Sequence, residues 1–220
     1  MFIWKQFRIP LLALTFSSVL LVLGKVILLP SAEKRTLTPF VFPEAVPLPQ
    51  WQLKASSPLP EPTEEHPELI AQKHYQYIQN DLPLDIEMRY MADGNLKQLM
   101  RKYTSISSSA VVRQHQGVGY YGLLVDRQRA YLSACINPQG GSTFTPQQFN
   151  QNRYLYDQRW QRLLPWLLSQ QSLPDQRCLW AHLSVPLQNS SPEAAYTKLE
   201  NAWFSWHQWW QLHYPKLLSG

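Results

Sequence analysis

The sequence predicts an α+β fold: an N-terminal transmembrane helix, then one domain in which an antiparallel sheet of about five strands packs against two longer helices. Three observations carry this. Residues 9 to 24, IPLLALTFSSVLLVLG, hold no charge. Between residues 73 and 187, several short segments alternate apolar and polar side chains, the period of a half-buried strand. Two longer segments open with Thr-Pro or Ser-Pro and carry apolar residues at helical spacing.

The first element runs from Ile9 to Leu29, close to the roughly 20 apolar residues that a helix needs to cross a bilayer. Lys25 lies near its far end, where a long stem reaches the headgroups. A cleaved signal peptide is the competing reading. Its apolar core is usually about 7 to 15 residues, and in LPSAEK a proline precedes the small residues. The expectation is an uncleaved signal anchor. Lys5 and Arg8 precede the span and keep the N-terminus cytoplasmic; Lys34 and Arg35 pull weakly the other way. Everything after residue 30 then lies outside the cytoplasm. The domain reading is a cytoplasmic N-terminus and anchor over 1–30, a proline-rich stalk over 31–67 and an extracytoplasmic α+β domain over 68–220.

The stalk follows from proline, which fixes φ and has no amide hydrogen. Part of FPEAVPLPQWQLK, with apolar residues at Phe42, Val46, Leu48, Trp51 and Leu53, is expected to lie along the domain surface. Strands are expected at 73–79, 84–91, 117–126, 128–137 and 177–187. The clearest, LDIEMRYM, sets Leu84, Ile86, Met88 and Tyr90 against Asp85, Glu87 and Arg89. VDRQRA reads as a hairpin turn without the usual Asn-Gly pair. A short helix is expected over 92–103. A longer one opens at Thr145 and Pro146 and carries Phe149, Tyr156, Trp160, Leu163 and Leu167, with a kink at Pro165. The last opens at SSPEAAY, and its stripe is Tyr196, Leu199, Trp203, Trp206 and Trp210. Phe204 and Trp209 fall off that stripe. They read either as further packing or as contacts with headgroups or a membrane partner.

The net charge is +5, and Lys5, Arg8 and Lys25 supply more than half of it. The remainder is nearly neutral and has no basic stripe, so nucleic acid is not an expected partner. The histidines are scattered, HExxH and CxxC are missing, and no metal or cofactor is expected. PQGGST, between a strand and a capped helix, lacks the lysine of a phosphate-binding loop and is explained by a turn.

Cys135 and Cys178 are the only cysteines. Period-two faces put Tyr131, Ser133, Cys135 and Asn137 on one side of their strand, and Cys178, Trp180, His182 and Ser184 on one side of theirs. If the aliphatic faces pack on the helices, both cysteines and His182 share the other face. Three readings stay open: a Cys135–Cys178 disulfide, which an oxidising compartment permits; two small packed thiols; or a Cys135/His182 nucleophile pair.

YLSACINPQGGSTFT, QNRYLYDQRWQRLLPWLL, CLWAHLSVPL and SPEAAYTKLENAWFSWHQWW, with FPEAVPLPQWQL and LPLDIEMRYMADGNL, resemble the cyanoexosortase A system-associated protein family over roughly residues 40 to 215. The resemblance implies a cyanobacterial protein encoded beside a cyanoexosortase, a multi-pass membrane protease/transpeptidase that processes proteins with a short C-terminal sorting signal. It implies one N-terminal span in the plasma membrane and a periplasmic domain. It brings no catalytic residues, because the transpeptidase chemistry belongs to the partner. The expected function is therefore a non-enzymatic accessory of protein sorting or exopolysaccharide export, touching the cyanoexosortase or its sorted substrates, with Phe204 and Trp209 as partner or membrane contacts. The alternative is an extracytoplasmic thiol enzyme using Cys135 and His182.

Overall fold

A computed structural model describes residues 3–28, 40–60, 68–92, 96–103, 110–157, 175–187 and 191–216. The chain divides into two compact units, Met1–Leu37 and Thr38–Gly220.

The first unit holds helix α1, Ile3–Leu28, with Pro10 in its first turns. Every side chain described between Phe7 and Val22 is exposed. Among the described residues, no helix is long and apolar enough to cross a membrane. The expected transmembrane helix over 9–29 is thus not supported by the described residues, and the side chain of Lys25 lies outside them.

The second unit is built on an antiparallel sheet of seven strands, two more than expected. The strands are β1 Gln52–Ser57, β2 Leu69–Gln79, β3 Leu82–Met91, β4 Val111–His115, β5 Gly119–Asp126, β6 Arg129–Ile136 and β7 Cys178–Pro186. Their order across the sheet is β1-β2-β3-β7-β6-β5-β4, so the last strand in sequence enters at the centre. The two strands missed are the two edges. Tight turns set the register of two hairpins: Asn80 and Asp81 between β2 and β3, and Arg127 and Gln128 between β5 and β6, all at positive φ. Two consecutive left-handed residues match the twist of a hairpin; the second turn reaches that conformation with neither Asn nor Gly.

Helices α2 Leu96–Tyr103 and α3 Pro146–Asp157 precede α4, which spans Pro192–Leu212. It starts as the Ser-Pro pair predicts: Ser191 Oγ accepts a hydrogen bond from the Ala194 amide, and Pro192 occupies the first turn. At α3, Thr145 Oγ1 accepts from the Gln148 amide at 3.3 Å while Gln148 Oε1 accepts from the Thr145 amide at 2.9 Å, a capping box. The expected continuation of α3 through Trp160, Leu163, Pro165 and Leu167 lies outside the described residues.

One sheet face meets α4. Leu199, Trp203, Trp206 and Trp210 are buried with Leu132, Ala134, Leu183 and Val185 in the main core. The segment 40–51 joins this layer and is no free stalk: Phe42, Val46 and Leu48 are buried, and Phe42 meets the Trp210 ring edge-on at 5.6 Å. An extended, proline-rich backbone leaves its carbonyls unpaired, and here tyrosines use them. Tyr75 Oη donates to the Pro43 carbonyl at 2.8 Å and Tyr77 Oη to the Val46 carbonyl at 2.6 Å. The opposite sheet face carries a smaller core of Met91, Leu99, Cys135, Phe144, Phe149, Cys178 and Trp180, which brings in α2 and α3.

The PQGGST turn folds back onto the sheet. The Cys135 amide donates to the Thr143 carbonyl at 2.7 Å, and the Ser142 amide donates to the Val118 carbonyl at 2.6 Å. Residues 142 and 143 thus pair with the end of β6 and the start of β5. Gly119 permits this approach: its φ is +107°, and a Cβ there would overlap the Ser142 backbone. Gly119→Ala is expected to destabilise the domain by about 2 kcal/mol or more, read as a shift in the urea midpoint at unchanged slope.

Candidate functional site

The residues singled out by chemistry gather on the second sheet face, where β3, β7 and β6 are neighbours. Register fixes three cross-strand rows. Arg89, Trp180 and Cys135 lie abreast; so do Glu87, His182 and Ser133; so do Asp85, Ser184 and Tyr131. The period-two reading put these side chains on one face, and the pairing of β6 with β7 brings them together.

Cys135 and Cys178 are joined as a disulfide with their Cα atoms 5.6 Å apart, inside the usual range for bridged cysteines. The bridge runs diagonally, since Cys135 stands opposite Trp180. Both cysteines are fully buried. The bridge leaves Cys135 no thiol to act as a nucleophile.

His182 faces Ser133, not Cys135. Its Nδ1 lies 2.6 Å from Ser133 Oγ, and its ring stacks on Tyr131 with centroids 5.1 Å apart. Sequence reasoning missed this pair because Ser133 and His182 are unrelated until register is known. Burial pushes the His182 imidazole down to about 4; Glu87 pulls it up, while Arg89 and Arg129 push it further down. The ring is therefore neutral at ordinary pH. The arrangement has a nucleophile and a base in contact, as serine chemistry requires, yet Ser133 is completely buried. Its chemical role here is to satisfy a buried imidazole.

Around this pair lies a band of charge. Asp85 receives Arg129 Nη2, and the same nitrogen donates to Ser184 Oγ at 2.8 Å. His74 Nε2 lies 3.3 Å from Asp85, and Arg89 pairs with Glu87 at 2.9 Å. Among the described residues, no group of three His, Cys, Asp or Glu side chains is placed to hold a metal ion.

Acid should weaken the domain through two histidines. His207, buried on α4, is also pushed down to about 4 by burial. In the unfolded chain a histidine titrates near 6.5. Above that pH both states are neutral and these groups contribute no slope. Between about 6.5 and 4 the unfolded state binds protons that the folded state refuses, so stability falls with pH. Below about 4 both states are charged and the slope vanishes. Each group costs up to about 3 kcal/mol across the window. Urea midpoints should drop from pH 7 to pH 5, and His182→Asn should flatten part of that drop. An unchanged midpoint between pH 7 and pH 5 would contradict the assignment.

A second surface lies on α4. Phe204 is half-buried and sits on the His115 ring at 4.2 Å, with Tyr121 at 6.1 Å, so packing against β4 and β5 takes up much of it. Trp209 stacks on His213 at 4.0 Å and meets Trp210 edge-on at 4.8 Å. It also lines an open groove of about 570 Å³ between α4 and residues 47–51. Of the two residues expected as partner contacts, Trp209 borders the groove and Phe204 does not.

Comparison with protein-family models, with curated proteins and with solved structures finds no match to this chain.

Proposed function

We propose that the chain is a membrane-anchored extracytoplasmic accessory protein of a cyanoexosortase system, related to the cyanoexosortase A system-associated proteins that it resembles. It serves protein sorting or exopolysaccharide export by protein–protein contact. In this reading α1 spans the plasma membrane once and the domain that starts near residue 38 is periplasmic. The observation that carries it is α1 itself: between Phe7 and Val22, Phe7, Ile9, Leu11, Leu14, Phe16 and Leu21 are among side chains 53% or more exposed. An apolar surface of that size in water needs a cover, and a bilayer supplies one. The disulfide supports the same side of the membrane, because such bonds persist outside the cytoplasm.

The thiol-enzyme alternative has lost its nucleophile to the bridge. Cys135→Ser should leave sorting intact wherever the variant accumulates normally; collapse of sorting at unchanged folding and level would reinstate that alternative. The anchor is tested by fractionation. The full chain should stay with membranes after alkaline extraction, and deletion of residues 1–30 behind a cleavable export signal should release it. A full-length chain that washes off would overturn the anchor.

A further inference from the structure

The groove beside Trp209 has a composition that selects a ligand. One helical face of α4, Ser205, Gln208, Trp209 and Leu212, forms one wall, and Pro47, Pro49 and Trp51 form the other. None of these side chains is charged. The volume, about 570 Å³, falls in the range of small-molecule sites, roughly 300 to 1,000 Å³.

The two tryptophans here differ from the core tryptophans. The indole nitrogens of Trp180, Trp203 and Trp210 are sealed in the interior, and that of Trp206 reaches Met88 Sδ at 3.3 Å. Trp51 and Trp209 are half-buried at the groove, and neither indole nitrogen is among the buried ones. Trp209 is also held in place. His213 Nδ1 donates to the Trp209 carbonyl at 2.7 Å, and the imidazole stacks on the indole. A ring fixed before binding loses little freedom when a ligand lies on it.

We propose that this groove binds a neutral glycan. Trp51, the Trp209 face that His213 leaves uncovered and the exposed Leu212 offer apolar surface to the C–H faces of sugar rings. The indole N–H groups donate, while the Gln208 amide and the Ser205 hydroxyl both donate and accept. A ligand matched to that set must also donate and accept, as sugar hydroxyls do. A polyproline segment, which has no backbone N–H, only accepts. The uncharged lining selects against acidic or basic chains. The proposal rests on the reading of Trp209 as a contact residue and names what it contacts.

The test is calorimetric titration of the full chain, in a detergent without a sugar headgroup, with neutral hexasaccharides of glucose, galactose, mannose and N-acetylglucosamine. At least one should bind saturably. Trp209→Ala should weaken it about tenfold or more, equivalent to about 1.4 kcal/mol. Gln208→Ala, at an exposed position that folding does not need, should weaken it severalfold, and Phe204→Ala should leave it unchanged. If no hexasaccharide binds, if binding survives both Trp209→Ala and Gln208→Ala, or if only a proline-rich peptide saturates the groove, the proposal is overturned. Membrane fractionation does not involve the groove, so a failed titration beside a successful fractionation removes the glycan and leaves the anchored accessory standing.

Discussion

Trp206→Ala is expected to unfold the domain or to lower its melting temperature by roughly 6–20 °C. Trp206 is fully buried on α4. Its ring meets Tyr75 edge-on at 5.3 Å and Tyr77 at 6.1 Å, and lies 6.3 Å from Trp210. Those tyrosines hold the 40–51 segment through Pro43 and Val46, so the loss reaches beyond one side chain. Truncating a buried aromatic typically costs about 3–5 kcal/mol, against a total of about 5–15 kcal/mol for a domain. Each kcal/mol shifts the melting temperature by roughly 2–4 °C at this size. Trp203→Ala should behave similarly. Phe204→Ala and Trp209→Ala, at half-buried positions, should cost clearly less. Equal losses at all four positions, by thermal unfolding, would mean that α4 is buried on every side and presents no contact face.

Removal of the disulfide has the second large effect. Cys135 and Cys178 are separated by 43 residues in sequence, and the chain-entropy model gives about 4 kcal/mol for a loop of that size. The double variant Cys135→Ala/Cys178→Ala should lose roughly 2–4 kcal/mol, seen as a lower denaturant midpoint. Oxidised wild type should show no reactive thiol when denatured without reductant and two after reduction. Two reactive thiols before reduction, in protein taken from its native compartment, would rule out the bridge.

How far the fold can be read from sequence depends on which forces shape each element. The α4 stripe was legible because its spacings of 3 and 4 match a helix and its Ser-Pro start supplies the cap. The shared face of Cys135, Cys178 and His182 was legible because alternation in two central strands fixes which way each side chain points. β1 and β4 were not. QLKASS and VVRQH are almost wholly exposed, so no apolar alternation marks them, and backbone pairing alone makes them strands. The 40–51 segment reads as a proline-rich stalk, part of which lies along the domain through Phe42, Val46 and Leu48. That these side chains enter the core had no signal, since they follow no helical or strand period and their partners Tyr75, Tyr77 and Trp210 are distant in sequence. The Ser133–His182 contact had no local signal at all, since it depends on the register between β6 and β7.

If a membrane-held domain works by touching a protein partner, chemical crosslinking of the full chain in native membranes, followed by identification of what is captured, tests that most directly. A cyanoexosortase, or a protein that it sorts, should be captured. Capture of neither, while the full chain is folded and present in the membrane fraction, would contradict it.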